Sequence, residues 1–276
     1  MSQNTKGIIL AAGKGTRLMP ATMTASKPLL PIYDKPMIYY PLETLIRMGI
    51  KDILFIVQES DLKIFNETFG NGDHVGLKFF YEIQRVQRGI VDAYFIAEDF
   101  LQGSSSVLAL SDNVFLGKNY FDYANQALIK MKDKGASIFG LPVPDPEKFG
   151  VLEIDKNDNI IGIEEKPLYP KSNLITPGMY FFDSEAPKLA KTIKPSTRGE
   201  LEIADLIDVY LKNNKLALQR LDSSIFWHDT GNAEALLSAS VKVQKFEKDN
   251  NLKVGSYEIA AYEKGFISYS SLEKIA

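Results

Sequence analysis

The chain has 276 residues, of which 45% are hydrophobic and 24% charged, with a formal net charge of −3, no cysteine and two histidines. That length lies near the upper limit for one hydrophobic core, and the composition excludes disordered, collagen-like and disulfide-built classes. No apolar run approaches the roughly 20 residues that span a bilayer, and the start MSQNTKG has no basic segment followed by a long apolar one, so a cytoplasmic protein is expected. Thiolate metal sites are impossible, and a histidine-built zinc site is disfavoured because His74 and His228 stand isolated. Any metal must therefore sit on carboxylates, and oxygen ligands point to Mg²⁺. The charge offers no general attraction to nucleic acid, so a phosphate ligand must be held by locally placed cations.

In chain order, residues 7–10 read as a buried strand followed by a polar loop through Leu18, and 38–48 as an amphipathic helix closed by Gly49. Strands are expected at 52–57 and 78–83, with helices at 61–69 and 90–98. A strand at 107–110 ends directly at Ser111, Asp112 and Asn113. Residues 120–134 read as a helix and 136–141 as a strand. Then the pattern changes: 149–182 reads as three short extended pieces separated by the turn signals Asn157-Asp158-Asn159 and Pro177-Gly178. Helices at 185–193 and 203–213 and a strand at 216–221 lead into a polar turn around Asp229, and a helix from 233 to about 250 precedes a short tail. Alternation of strand and helix predicts an α/β fold, a Rossmann-like mixed, mainly parallel sheet flanked by helices, carrying a strand-rich insertion. No internal repeat and no low-complexity linker marks a second independent domain.

The strongest chemical signal is the run Leu10-Ala11-Ala12-Gly13-Lys14-Gly15-Thr16-Arg17 straight after the first strand. Gly13 and Gly15 let backbone N–H groups close around an anion, and Arg17 adds a fork-shaped fixed charge. Gly-x-Gly alone is as readily a plain turn between strand and helix. A dinucleotide fingerprint fails because Leu18 occupies the third glycine position, which also disfavours a nicotinamide-dependent oxidoreductase; a P-loop fails because Lys14 is misplaced. Lys27 sits between Ser26 and Pro28, and with Pro31 the backbone is stiff enough to aim its ammonium into a cleft, although a lone lysine is ordinarily solvated. Asp112 ends a predicted strand, where open α/β sheets bind ligands, and Asp229 follows another. Together the two can hold Mg²⁺; taken singly, either is better explained as a turn cap.

The runs GIILAAGKGTRLMP (7–20) and SKPLLPIYDKPMIYYPLETL (26–45) resemble the N-terminal signature of the sugar nucleotidylyltransferases, most closely the thymidylyl-transferring branch, and the likeness continues through SDNVF, FGVLEID, EEKP, RGELEIADL and WHDTGN. The resemblance implies a nucleotidyltransferase domain over 1–240 with a sugar-binding insertion at about 145–200, and a C-terminal helical appendage over 241–276. It implies transfer of a nucleotidyl group from dTTP, with UTP as the alternative, to glucose 1-phosphate, for deoxysugar and surface-polysaccharide biosynthesis by a homo-oligomer. Catalytic roles carry over to Arg17, Lys27 and Lys166, and metal binding to Asp112 and Asp229. The nucleotide falls to Leu10, Ala11, Ala12, Gly13, Gly15, Thr16, Arg17, Gln84, Gly89 and Asp112, with Gln84 and Gly89 reading the base. The sugar phosphate falls to Gly150, Glu165, Lys166 and Arg198. For Arg198 a salt bridge at a helix entry is an equal reading, and for His228 a packing role is preferred to catalysis.

The chain departs from the family pattern in places. Phe149 replaces a tyrosine, Arg85-Val86-Gln87-Arg88 replaces Pro-Ser-Pro-Asp, Ile90-Val91-Asp92 replaces Leu-Ala-Gln, and Ser111 replaces a glycine. A silent regulatory paralogue that only binds nucleotide sugars would be marked by loss of charged residues. Arg17, Lys27, Asp112, Lys166 and Asp229 all remain, which favours an enzyme.

Overall fold

Ile8, Ile9, Ile53, Leu54, Phe55 and Ile56 are wholly buried, as near-continuous runs of branched and aromatic residues are when a parallel strand is covered on both faces. The structure, a computed structural model, describes residues 4–157 and 159–275; Asp158 of the expected turn lies outside the described residues. Its contacts resolve two compact units, one from the described residues of Met1–Lys6, Val86–Leu108 and Asp122–Ser224, the other from those of Gly7–Arg85, Ala109–Phe121 and Ile225–Ala276.

In the second unit residues 7–10 pair in parallel with Asp52–Val57, Gly7 opposite Ile53 and Leu10 opposite Ile56, and Asp52–Val57 pairs in parallel with Lys78–Ile83. The helix Tyr39–Arg47 and Gly49 at φ +83° follow the expected pattern, as does the helix Leu62–Phe69. The latter packs through Phe65 and Phe69 on Phe55, whose ring also meets Phe79 and Tyr81 at 5.3 and 5.6 Å. A second set of buried residues joins Leu18, Leu30, Ile32, Met37 and Tyr40 to Val114, Leu116, Ala239 and Val243. Those last two come from the long helix Ala233–Asn250, started by the Asn232 side chain accepting from the Ala235 N–H at 2.9 Å. Two further helices, Tyr257–Glu263 and Tyr269–Ile275, follow it.

The first unit is built on Ala136–Pro142. That strand pairs antiparallel with Met179–Phe182 and Leu174–Thr176, and parallel with Leu216–Arg220. Gly150–Ile154 pairs antiparallel with Ile160–Glu165 and Leu174–Thr176. The expected insertion thus holds four strands among the described residues rather than three, because residues 166–173 divide the piece expected between the two turn signals into Ile160–Glu165 and Leu174–Thr176. The helix Ile203–Lys212 buries Ile203, Ala204, Leu206, Ile207 and Tyr210. The expected helix at 90–98 is two short ones, Asp92–Ile96 and Glu98–Leu101.

Besides the two-residue strands Pro31–Ile32 and Lys35–Pro36, two strands among the described residues were not legible in advance. Asn113–Leu116 and Phe226–Asp229, the second read as a polar turn, pair antiparallel in a ribbon of their own, Asn113 opposite Asp229 and Leu116 opposite Phe226. Asn113–Leu116 starts two residues after Ser105–Leu110 ends, with no glycine or proline to announce a break, and its partner is more than a hundred residues away. Sequence periodicity carries no signal for a pairing of that range.

Candidate active site

The ribbon explains how Asp112 and Asp229 meet. Its register sets Asp229 beside Asn113, and Thr230 then ties back to Asp112, its N–H and hydroxyl both donating to the Asp112 carbonyl at 2.9 and 2.8 Å. The Asn113 amide donates to Asp112 Oδ1 at 2.9 Å and accepts from the Trp227 indole at 2.7 Å. Thr230 thus fixes the Asp112 backbone, and the Asn113 amide, itself held by Trp227, fixes the carboxylate. The Ser111 N–H donates to the Leu10 carbonyl at 3.2 Å, so Asp112 leaves its strand beside the point where the glycine-containing loop leaves the first one.

That loop is anchored at its start, with Ala11 and Ala12 buried and the Ala11 N–H bonded to the Ile56 carbonyl at 2.8 Å. It then opens: Gly13, Thr16 and Arg17 are exposed, and a Cβ on Gly13 would meet nothing within 4 Å. Gly15 is different. Its φ is +62°, and a Cβ there would lie 2.8 Å from Thr22 and 2.9 Å from the Cβ of Lys27, so glycine is required both by conformation and by the packing of Lys27.

Lys27 is only 9% exposed. Pro28 is buried behind it, and the Ser26 hydroxyl donates to Asp61 Oδ2 at 2.6 Å, which holds the segment from the other side. The ammonium is paired with Asp112 Oδ2. Burial alone would raise the Asp112 carboxyl, but the charge and hydrogen bond of Lys27, with the Asn113 amide, hold it below the usual carboxylate range. Asp229 goes the other way. Burial, and then the Asp112 charge, push it up to about 6, against smaller opposing effects of Lys27 and Arg17. Its Oδ1 is buried without a hydrogen-bond partner.

Gly231, which sequence reading passed over, completes this cluster. A Cβ on it would stand 2.7 Å from Arg17 Nη2 and 2.9 Å from Asp229 Oδ1. The missing side chain is what lets the guanidinium approach the carboxylate. Its signal was available in the run WHDTGN, as a glycine directly after Asp229-Thr230. Gly231→Ala is expected to displace Arg17 and raise KM for the nucleotide about tenfold, a loss of about 1.4 kcal/mol, while leaving KM for the sugar phosphate unchanged; initial-rate kinetics with each substrate varied decide it.

In the other unit Glu165, Gly150 and Thr176 sit across adjacent antiparallel strands, Glu165 and Thr176 each opposite Gly150. A Cβ on Gly150 would lie 3.2 Å from Glu165 Oε2, so the glycine leaves room for that carboxylate. Glu165 is largely buried, and burial, with the charges of Glu202 and Glu200, outweighs Lys166 and Arg198 to raise its carboxyl above the usual range. Lys166 has φ +46°, and its N–H donates to the Phe149 carbonyl at 2.9 Å; this turn aims the side chain, whose ammonium lies 3.7 Å from Glu165 Oε1. Arg198 forks onto Glu202, with Nη2 at 2.9 and 2.8 Å from the two carboxylate oxygens. Glu202 is the N-cap position of the helix Ile203–Lys212, so the salt bridge at a helix entry is present, and the same guanidinium lies 3.8 Å from Glu165.

The two residues expected to read the base are held by backbone. Gln84 is buried and its N–H donates to the Val57 carbonyl at 2.9 Å, while Gly89 has φ +107°. His228 packs its ring 5.1 Å from that of Phe226, with Nδ1 3.3 Å from the Trp227 carbonyl. Among the described residues no three histidine, cysteine or carboxylate groups gather as a metal site.

A family model described as nucleotidyl transferase matches residues 6–245, across the glycine loop, both aspartates and the Lys166 turn. The chain belongs to the nucleotidyl transferase family. It is 44% identical over 268 residues to a glucose-1-phosphate thymidylyltransferase of Neisseria gonorrhoeae, covering 97% of this chain and 92% of that one. To the enzyme of that name from Mycobacterium tuberculosis H37Rv it is 40% identical, over 97% and 92% of the two chains. A crystal structure from Bacillus anthracis that carries the same name, solved with sucrose, superposes with a TM-score of 0.79 at 36% identity, over 86% of this chain and 94% of that one. A UDP-glucose pyrophosphorylase complexed with UDP-glucose, at 22% identity and TM-score 0.77 over 87% and 98% of the chains, shares the fold. Nucleotidyltransferases of this family generally use a divalent metal. No helix among the described residues is long and apolar enough to cross a membrane.

Proposed function

We propose that this nucleotidyltransferase is a glucose-1-phosphate thymidylyltransferase: it joins the thymidylyl group of dTTP to glucose 1-phosphate, giving dTDP-glucose and pyrophosphate. The relatives' names support the substrates. The observation that carries the chemistry is the pair Asp112 and Asp229, with one buried carboxylate oxygen lacking a partner, beside the cations Arg17 and Lys27.

A partly buried carboxylate pushed up by burial and by its neighbour's charge, with an oxygen left unsatisfied, fits a divalent cation shared with that neighbour. We assign Asp112 and Asp229 to hold Mg²⁺. When bound, the metal supplies positive charge against the phosphate oxygens. The chain's own groups do the rest. The exposed loop at Gly13, Thr16 and Arg17 offers N–H groups and a guanidinium to the triphosphate, and Arg17 with Lys27 stabilises the departing pyrophosphate.

A phosphate monoester has a second pKa of about 6, so glucose 1-phosphate already carries an attacking dianion at neutral pH. No general base is required, in keeping with a His228 that is packed on Phe226. Lys166 neutralises and orients that dianion, and the buried Glu165 accepts hydrogen bonds from sugar hydroxyls. Orientation matters because both reactants are anions that repel one another in free solution.

A panel of dTTP, UTP, CTP and GTP with glucose 1-phosphate tests the reading. One methyl group in a pocket discriminates by roughly tenfold to 200-fold, so dTTP is expected to exceed UTP in kcat/KM by that margin, with both far above GTP. Preference for a purine nucleotide would overturn the roles of Gln84 and Gly89, and no pyrophosphate release from any pair would identify a silent nucleotide-sugar-binding paralogue.

A further inference from the structure

Residues 88–91 and Leu201 form a joint in the first unit. The Leu201 N–H donates to the Arg88 carbonyl at 2.6 Å, and the Val91 N–H donates to the Leu201 carbonyl at 3.3 Å. Gly89 is caught between these bonds: a Cβ on it would stand 2.5 Å from the Leu201 carbonyl oxygen and 2.7 Å from the Leu201 nitrogen. Both obstacles are backbone, which no rotamer change relieves. Two backbone hydrogen bonds and the absence of room for a Cβ tie the segments, so a shift of either moves the other.

An ion pair braces each side of the joint. Arg198 forks onto Glu202, which is 6% exposed, around Leu201. On the opposite side Arg88 Nη2 lies 2.5 Å from Asp92 Oδ1, and Asp92 is 2% exposed. The Arg88 guanidinium also lies 5.5 Å from the Phe95 ring. Asp92 opens a helix of only five residues, too short to hold its own place without tertiary contacts. A carboxylate buried that deeply and deprived of a cationic partner moves toward water or another donor. Because Asp92 follows Val91 directly, such a movement pulls on the bond to Leu201 and hence on the segment that carries Arg198.

We propose that Arg88 is a positioning residue: by holding the buried Asp92 it locks the Gly89 turn to Leu201, so that the turn facing the nucleotide base and the segment serving the sugar phosphate are set as one piece. This rests on the proposed reading of Gly89 as a base contact and of Glu165, Lys166 and Arg198 as the sugar-phosphate site. A shared joint makes the two substrates sense the same displacement, and such coupling is reciprocal in binding.

Initial-rate kinetics with dTTP and glucose 1-phosphate varied in turn, together with melting temperatures, test it on Arg88→Ala, Arg88→Lys, Gln84→Ala and Lys191→Ala. Lys191 supplies the control, since it pairs with Glu98 in the same unit with both side chains about half exposed. Arg88→Ala is expected to raise both KM values together, about tenfold, with a smaller loss in kcat. Arg88→Lys should restore both to within about threefold, and Lys191→Ala should change neither. A residue that served stability alone would lower the melting temperature and the active fraction while leaving both KM values in place, and that result overturns the proposal. If Arg88→Ala does not fold, Arg88→Gln takes its place: KM values equal to those of Arg88→Lys overturn the proposal, and values well above them support it. Gln84→Ala without effect on the dTTP KM removes the base-site reading instead. In either case an unchanged KM for glucose 1-phosphate in folded Arg88→Ala or Arg88→Gln overturns the joint.

Discussion

Lys166→Ala is expected to lower kcat/KM for glucose 1-phosphate by about 10²–10³-fold, the loss seen when one donor aimed at a reacting oxyanion is removed. Lys166 is held at φ +46° by the hydrogen bond from its N–H to the Phe149 carbonyl, a backbone arrangement that alanine inherits unchanged. Its side chain is 46% exposed, and its contact with Glu165 is a long 3.7 Å, so little stability depends on the ammonium. The melting temperature should move by no more than about 2 °C. Lys166→Arg keeps the charge on a longer, differently shaped head and should recover part of the activity. Unaltered turnover in a folded Lys166→Ala protein would remove this residue from the mechanism.

Asp229→Asn should make the metal-free protein more stable and the enzyme nearly inactive. The native carboxylate is buried beside Asp112, and burial with that neighbouring charge raises it to about 6. A carboxyl whose folded value exceeds its unfolded one binds more protons folded than unfolded, so ionisation opposes folding above that value. The penalty is fully present above about pH 6 and fades as pH falls through 6 toward the unfolded value of 3.8. At pH 8 the neutral amide should therefore raise the melting temperature by about 2–4 °C, corresponding to roughly 1 kcal/mol in a chain of this size, and the gain should vanish once the pH is below the unfolded value of 3.8. Turnover should fall by about 10³-fold, because an amide oxygen is a weaker partner for a divalent cation. Thermal melts at the two pH values and pyrophosphate-release rates give both readouts. A variant that loses stability at pH 8, or that keeps wild-type turnover, would show that Asp229 is not a strained metal ligand.

Both predictions reflect one property of such sites: groups held for a phosphate or a cation are not at their own optimum when that partner is absent. The buried Asp229 oxygen without a hydrogen-bond partner is such a cost. Lys27 is the exception, since it satisfies Asp112 in the absence of any ligand.

Much of this was legible in the residues. The parallel strands 52–57 and 78–83, the helices at 120–134 and 203–213 and the glycine loop were readable because each rests on local rules, apolar period and turn chemistry, that a short window contains. The chemical types of the site were legible for the same reason: small residues after a strand, a lysine fenced by prolines, and an aspartate where a strand ends. Pairings between distant residues were decided only by the tertiary structure. The ribbon of Asn113–Leu116 with Phe226–Asp229 brings Asp112 and Asp229 together, Gly231 admits Arg17, and the Leu201 backbone adds to the local φ of +107° in requiring glycine at 89. Each of these depends on backbone from far along the chain coming within van der Waals or hydrogen-bond reach. A linear sequence states the chemistry of its groups, while which of them share a desolvated space is set by packing alone.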